Sequence, residues 1–537
     1  MLVCLPLYRN GKVFVKRTNV KSGGRKLTYL QLVESYRDEG RVRTRLIKGL
    51  GREDLIDPSE IDSLVRSLAP YGSLRVGDEG HALEEVELRP GREFGSVYAL
   101  DHLWRELELG KALAELARGR RFAFQVADVV KAMVFGRVLH PGSERALITT
   151  WLATVAAPEF EGLELQHAYR ALAFLAEVGP ELEARLARLL TERLFVDATL
   201  VLFDTTSIYF EGVGPDLASY GYSRDHRPDR RQVNLGLLTS REGIPLAHWL
   251  FPGRQSDVRS MAEASREFRS RLPLGSFVVV ADRGMVSEAN LEALRSESTP
   301  YVIAEKLRRK RTHQALSRAG RYHRVTPTLE VKEIAQQGPE RVLLCLNRER
   351  ADADRHTRES ILAKLENTLE AGSWREFLPP GARRYLRVTG GKASINQQRV
   401  KDDARFDGKW VLRTTTKLPP EDVALAYRGL WRVERTFQTL KTPLEIRPVY
   451  HTSEAGVRGH IQTCVLAYTL ARLLEDRLEA AGLDTNAKDA LAELARIQQV
   501  PLHEGHVTIT KTTTPNEQQR AILTAIGAPP PPEDHVA

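Results

Sequence analysis

Three carboxylates in this chain of 537 residues stand where an acid is costly to keep. Asp204 follows Thr199-Leu-Val-Leu-Phe203, and Asp282 follows Phe277-Val-Val-Val-Ala281. Glu434 lies in Tyr427-Arg-Gly-Leu-Trp-Arg-Val-Glu-Arg-Thr-Phe-Gln-Thr-Leu-Lys441. A carboxylate in an apolar setting needs a counter-charge or a metal. Three converging carboxylates without a nearby Cys/His cluster form an oxygen donor set, which suits Mg2+ or Mn2+. Two such ions can clamp the attacking and leaving oxygens of a phosphodiester.

The elements that must position these acids are readable locally. The apolar runs before Asp204 and Asp282 suit central strands buried on both faces, with the acids at the strand ends. A turn-forming or capping Asp is the ordinary alternative at each. The stretch 427–441 reads as one helix, with Glu421 and Asp422 in its first turn and Lys441 and Pro443 closing it. Tyr427, Leu430, Glu434, Phe437 and Lys441 recur at intervals of 3 and 4, so they share one face, expected to be the buried one. A salt bridge from Glu434 to Arg428, Arg432 or Arg435 is the plain structural alternative.

Together these blocks resemble the DDE transposases of bacterial insertion sequences, in the branch with a Tyr-Arg-Glu-Lys signature. That signature falls on Tyr427, position 430, Glu434 and Lys441; position 430 is Leu here instead of Arg. Leu202-Phe-Asp-Thr-Thr-Ser207, Phe251-Pro-Gly-Arg-Gln-Ser-Asp257, Ala281-Asp-Arg-Gly-Met285 and Phe406-Asp-Gly-Lys-Trp-Val-Leu-Arg-Thr414 also resemble this family. The resemblance implies an RNase-H-like core in which Asp204, Asp282 and Glu434 hold two Mg2+ or Mn2+ ions. It implies a substrate of double-stranded DNA with inverted-repeat transposon ends, a target DNA, and a homodimer holding two ends. Tyr427 and Lys441 would then contact phosphate; for Arg283, next to Asp282, phosphate contact and plain neutralisation of local charge are the two readings. Arg428 and Arg432 are the candidates to replace the missing signature Arg.

Composition agrees. The net charge is +9 and 42% of residues are hydrophobic, which fits a globular chain with a polyanionic partner. Residues 1–51 contain 12 Lys/Arg against 3 Asp/Glu, and residues 306–330 contain 8 against 1. The second concentration includes the run Arg308, Arg309, Lys310 and Arg311, a DNA-backbone candidate whose ordinary alternative is solvated charge. No segment is long and apolar enough to span a bilayer, and no signal peptide is expected. Cys4, Cys345 and Cys464 lie too far apart for a disulfide framework or a zinc motif. A bacterial cytoplasm, near the nucleoid, is the expected location.

The expected fold class is α/β and multidomain: an RNase-H-like mixed-sheet core with a β-rich insertion, preceded by a small β unit and a helical region. Residues 1–51 are expected as the basic β unit, with strands at 12–16, 27–36 and 41–47. Arg41, Arg43 and Arg45 would line one face of the third strand. Residues 52–195 are expected as a mostly helical, DNA-binding region. It would hold a capped helix from Asp57, a linker near 72–92 and separate helices at 166–177 and 180–195. His140 is expected as a helix C-cap. The core would occupy 196–304 and 416–500, split by an inserted domain at 305–415, because the 152 residues from Asp282 to Glu434 exceed one strand and one loop. A helix at 459–478 is expected on the sheet, and 501–537 would end in a disordered Pro-rich tail. A transposase-derived DNA binder that no longer cuts, and an RNase-H-like metal nuclease, are the rival readings.

Overall fold

A computed structural model of the protein describes residues 12–22, 25–38, 41–56, 87–88, 90–272, 276–285, 287–305, 316, 320–337, 340–504, 507–532 and 534–536. The chain divides into two units, Met1–Val86 and Glu87–Ala537. The helix expected at Asp57 and most of the 72–92 linker lie outside the described residues.

The first unit is an antiparallel meander of β1 (Lys12–Ser22), β2 (Arg25–Asp38) and β3 (Arg41–Arg52). The strands are longer than their apolar alternation indicates. Residues 43–49 of β3 are exposed throughout, so Arg43 and Arg45 stand on a strand wetted on both sides. Arg45 is not free: its Nε donates to Glu34 Oε2 at 2.7 Å.

The second unit opens with β4 (Glu87–Leu88) and β5 (Arg92–Glu93), then turns helical. α1 (Gly95–Glu106), α2 (Leu109–Leu116) and α3 (Val126–Leu139) follow, and His140 caps α3 as expected, its N–H bonding Gly136 O at 2.8 Å. α4 (Leu165–Glu192) is one helix of 28 residues, not two. Pro180 sits inside it and leaves the Ala176 carbonyl without its helical donor. Leu172, Leu175 and Val178 before the proline pack into the same core as Leu182, Leu186 and Leu190 after it. Burying six such side chains is worth about 1.5–3 kcal/mol each, which outweighs a proline penalty of about 3 kcal/mol.

The catalytic-core strands are β6 (Leu200–Tyr209), β7 (Gln232–Thr239) and β8 (Pro245–Pro252), then α5 (Asp257–Arg271), β9 (Val278–Ala281), α6 (Glu288–Ser296) and β10 (Tyr301–Ala304). Val201, Leu202 and Phe203 are consecutive and all buried, so both faces of β6 are covered. In space the five strands run β8-β7-β6-β9-β10. β6 pairs antiparallel with β7 and parallel with β9, and β9 runs parallel to β10. This is the RNase-H-like arrangement.

Residues 305–415 do not form a separate β domain. β11 (His323–Arg324), β12 (Leu329–Gln337) and β13 (Glu340–Asn347) extend the core sheet to nine strands through β16, introduced below. Between them come α7 (Arg348–Glu370), the hairpin β14 (Leu386–Thr389) and β15 (Lys392–Ile395), and α8 (Gln397–Ala404), gathered on a small core of Leu365, Ala382 and Tyr385. β16 (Lys409–Thr414) then inserts between β13 and β10, with Val302 opposite Thr414. An edge strand leaves backbone groups unpaired, and β16 removes that edge from β10.

The stretch expected as one helix is two, α9 (Pro420–Arg428) and α10 (Trp431–Lys441). α11 (Glu454–Ala480) follows, then α12 (Ala487–Leu494), β17 (Gln498–Glu504), β18 (Val507–Thr512), α13 (Glu517–Ala525) and β19 (Asp534–Val536). α11 is not a one-sided helix on the sheet. Residues 459–471 are all buried, and its main partner is α4. Gly459 permits the crossing, because a Cβ there would run into the Leu172 backbone. The tail expected to be disordered is tied down: Pro529 O accepts from Tyr98 OH at 3.2 Å, Pro531 is buried, and β19 pairs with β18.

Candidate active site

Phe203 of β6 and Ala281 of β9 are parallel neighbours in register. Asp204 and Asp282 are the next residues on each strand, so the pleat sends both side chains to the same face. β9 ends at Ala281, as expected for an acid at a strand end. β6 does not end there. It runs on to Tyr209 as the partner of β7, so Asp204 is mid-strand, level with the end of its neighbour.

Each aspartate has one oxygen fixed. Asp204 Oδ1 accepts the Thr205 backbone N–H at 2.7 Å, and Asp282 Oδ1 accepts Tyr427 OH at 2.8 Å. Burial pushes the Asp204 carboxyl up to about 7; the Thr205 N–H and Arg224 oppose this, and the charges of Asp282 and Asp257 add to it. Burial likewise raises the Tyr427 phenol, and the Asp282 carboxylate raises it further, so the hydroxyl stays a donor. An oxygen-only donor set with one reluctant carboxylate fits a divalent ion of the Mg2+ or Mn2+ kind.

Beside the pair lies a constellation that sequence reading missed. Asp257, the first residue of α5, accepts from Thr205 Oγ1 at 2.7 Å and from Arg224 Nη2 at 2.8 Å. Both of its oxygens are occupied, so it orients Arg224 and Thr205 around Asp204. Asp257 carried a visible signal, an acid opening a helix after a strand, but that also describes an ordinary helix start. Arg224 lies in the irregular segment between β6 and β7, where no periodicity marks a residue.

The chain between α9 and α10 tightens at Gly429 and Leu430, where the Leu430 N–H bonds Tyr427 O at 3.2 Å. That break shifts the helical face. Val433, Thr436, Phe437 and Leu440 are buried, and Glu434 is exposed, contrary to the expectation from continuous spacing. The buried face packs α10 against β6 and α11. Thr436 Oγ1 also meets Tyr468 OH at 3.0 Å. Leu430 is half-buried against the core.

Lys441 is engaged. Its Nζ lies 2.9 Å from Asp225 Oδ1, which Arg447 Nε also approaches at 3.1 Å. Burial lowers the Lys441 ammonium pKa, Asp225 opposes the fall, and Arg447 and Arg224 add to it. The Arg224 charge is therefore felt both by Asp204 and by Lys441. Arg283 and Arg428 are exposed. Arg432 donates to Arg241 O at 2.8 Å and so braces the turn between β7 and β8. Arg308, Arg309, Lys310 and Arg311 lie outside the described residues.

Residues 189–470 match the family model described as the transposase DDE domain, and residues 15–74 match that of the N-terminal domain of IS1634 family transposases. No curated protein matches the chain. Among solved structures, the chain is similar to a piggyBac transposase in a synaptic complex with hairpin DNA, at 10% identity and a TM-score of 0.37, over 74% of this chain and 78% of that one. Among the described residues, no helix is long and apolar enough to cross a membrane. The DDE match spans more than half of the 537 residues, and the chain belongs to the DDE transposases of insertion sequences, metal-dependent enzymes that cut and join DNA.

Proposed function

We propose that Asp204 and Asp282, joined by Glu434, hold two Mg2+ or Mn2+ ions and that this centre cuts and transfers the ends of the element. The observation that carries the reading is the in-register pair of carboxylates, one of them held near pKa 7 by burial and by its acidic neighbours. What the ions supply when bound is activation of the attacking oxygen and neutralisation of charge on the leaving one. The chain's own residues set the geometry. The Thr205 N–H and Tyr427 OH each fix one carboxylate oxygen. Arg224, held by Asp257, keeps a positive charge beside the site without occupying it. Glu434 stands on the exposed side of α10, where DNA can reach it.

The substrate is double-stranded DNA ending in the element's inverted repeats, followed by target DNA, with two chains holding two ends. Lys441 would exchange Asp225 for a terminal phosphate, and Tyr427 would contact the same strand. Arg283, Arg428 and Arg432 flank that path, and the basic run Arg308 to Arg311 would add contacts to the DNA backbone. The setting is the bacterial cytoplasm, at the nucleoid.

The test is cleavage of labelled DNA carrying the element's own termini, by wild type and Asp282→Ala, with and without Mg2+. Terminal nicking that needs the metal and is lost in the variant supports the reading. Binding without nicking points to a DNA binder that no longer cuts. Cleavage indifferent to the terminal sequence points to a general nuclease. Equal cleavage by both proteins would displace the proposed centre.

A further inference from the structure

A second cluster of metal-ligating side chains lies away from the aspartate pair. Glu144 belongs to the short helical turn Glu144–Ala146 that follows α3. His460 is in the first turns of α11, and His451 lies in the segment between α10 and α11. Among the described residues, these are the three His, Cys, Asp or Glu side chains whose ligand atoms all lie within 4.8 Å of one another. Glu144 Oε1 is 3.4 Å from His451 Nε2 and 3.9 Å from His460 Nδ1.

Those separations are long for hydrogen bonds, which run at about 2.7–3.2 Å. The first is close to the edge of a tetrahedron around a zinc ion, since bonds of about 2.0–2.1 Å place the ligand atoms about 3.3 Å apart, and the second, at 3.9 Å, needs His460 and Glu144 to draw together on binding. His460 is already oriented for this. Its Nε2 meets the Ile446 carbonyl at 3.1 Å, so Nε2 carries a proton, and in the neutral ring the lone pair is on Nδ1. That Nδ1 is buried and has no hydrogen-bond partner. A buried nitrogen facing a carboxylate calls for a cation between them, either a proton on Nδ1 or a metal ion. Cys464 Sγ approaches His460 from the Nε2 side, at 3.9 Å, and is not a ligand. Arg137 Nη2, 3.9 Å from the same Glu144 oxygen, is the rival partner and is too distant for a hydrogen bond.

We propose that Glu144, His451 and His460 form a structural site for a zinc-class transition-metal ion, with solvent completing the shell on the half-exposed side of His451. Two imidazoles and one carboxylate select zinc over Mg2+, which prefers oxygen. The site is distinct from the aspartate pair. Val449, two residues before His451, bridges to Phe210 beyond the end of β6. Phe210 is six residues past Asp204, about 20 Å along an extended chain. The ion would fasten the helical region before the core to the segment that carries Arg447 onto Asp225.

The experiment uses the untagged full chain, dialysed against chelator and then titrated with Co2+ in excess Mg2+, which occupies the oxygen site. The expected result is one tight Co2+ per chain with visible d–d bands of a four-coordinate ion. Zn2+ should displace it and raise the melting temperature by several degrees. His451→Ala keeps the fold, because this half-exposed residue lies outside the helices; it should lose the bands and the thermal shift with an unchanged circular dichroism spectrum. Absence of stoichiometric Co2+ or Zn2+ in the wild type would overturn the proposal and leave Glu144 to Arg137 and the imidazoles. Equal binding by His451→Ala would also overturn it.

Discussion

Asp204→Asn should stabilise the metal-free protein at alkaline pH. The folded pKa, about 7, lies above the ordinary 3.8, so the folded state holds this proton more tightly than the unfolded chain does. Stability is therefore lost as pH rises from about 4 to about 7 and stays lost above that. The shift of about 3 units corresponds to about 4 kcal/mol at about 1.36 kcal/mol per unit. Asp204 is only partly buried, and water reaching it reduces the cost to about 2 kcal/mol, a few degrees of melting temperature at most for a chain of this size. Asparagine keeps the shape, still accepts the Thr205 N–H and carries no charge. Thermal unfolding in EDTA should show the variant gaining on wild type between pH 5 and pH 8.5. Excess Mg2+ should then raise the wild-type melting temperature and leave the variant's unchanged, since a ligand stabilises only the state that binds it. A variant no more stable than wild type at pH 8.5 in EDTA would refute the argument that Asp204 is a strained acid awaiting a cation.

Three further perturbations follow from named contacts. Tyr427→Phe removes the hydroxyl holding Asp282 at 2.8 Å but keeps the ring; the Mg2+ needed for half-maximal cleavage should rise about tenfold, and an unchanged metal dependence would speak against the positioning role. Asp225→Asn leaves Lys441 and Arg447 without their shared counter-charge and should cost about 3–5 kcal/mol, read as an earlier urea midpoint. A variant as stable as wild type would show that the pair is solvated. Gly459→Ala drives a methyl into the Leu172 backbone and should cost about 1–3 kcal/mol by pushing α11 off α4; a variant that melts with wild type would contradict the tight crossing.

What was legible in the sequence follows from how local each signal is. Asp204 and Asp282 stood out because a buried strand writes its own apolar run, and the acid ending that run breaks the pattern. The choice of strand neighbours is non-local. Nothing within residues 409–414 says that β16 will slide between β13 and β10, so the insertion was expected as a domain of its own. The continuous spacing from Tyr427 to Lys441 concealed the tightened turn at Gly429 and Leu430, which turns Glu434 out to solvent. Pro180 misled in the opposite direction, since tertiary packing carried α4 through it. Arg224 and the Glu144–His451–His460 cluster left no local mark because each joins residues far apart in the chain, and Asp257 showed only as an ordinary helix start.

The central claim is that Asp204, Asp282 and Glu434 surround one metal centre. It is tested most directly by loading the protein with Fe2+ in place of Mg2+, with Zn2+ already filling any imidazole site, and adding peroxide so that the backbone is cut beside the bound ion. Fragments ending near residues 204, 282 and 434 are expected in the wild type and none of them in Asp204→Asn. Cuts near 204 and 282 without one near 434, or a pattern unchanged in the variant, would contradict it.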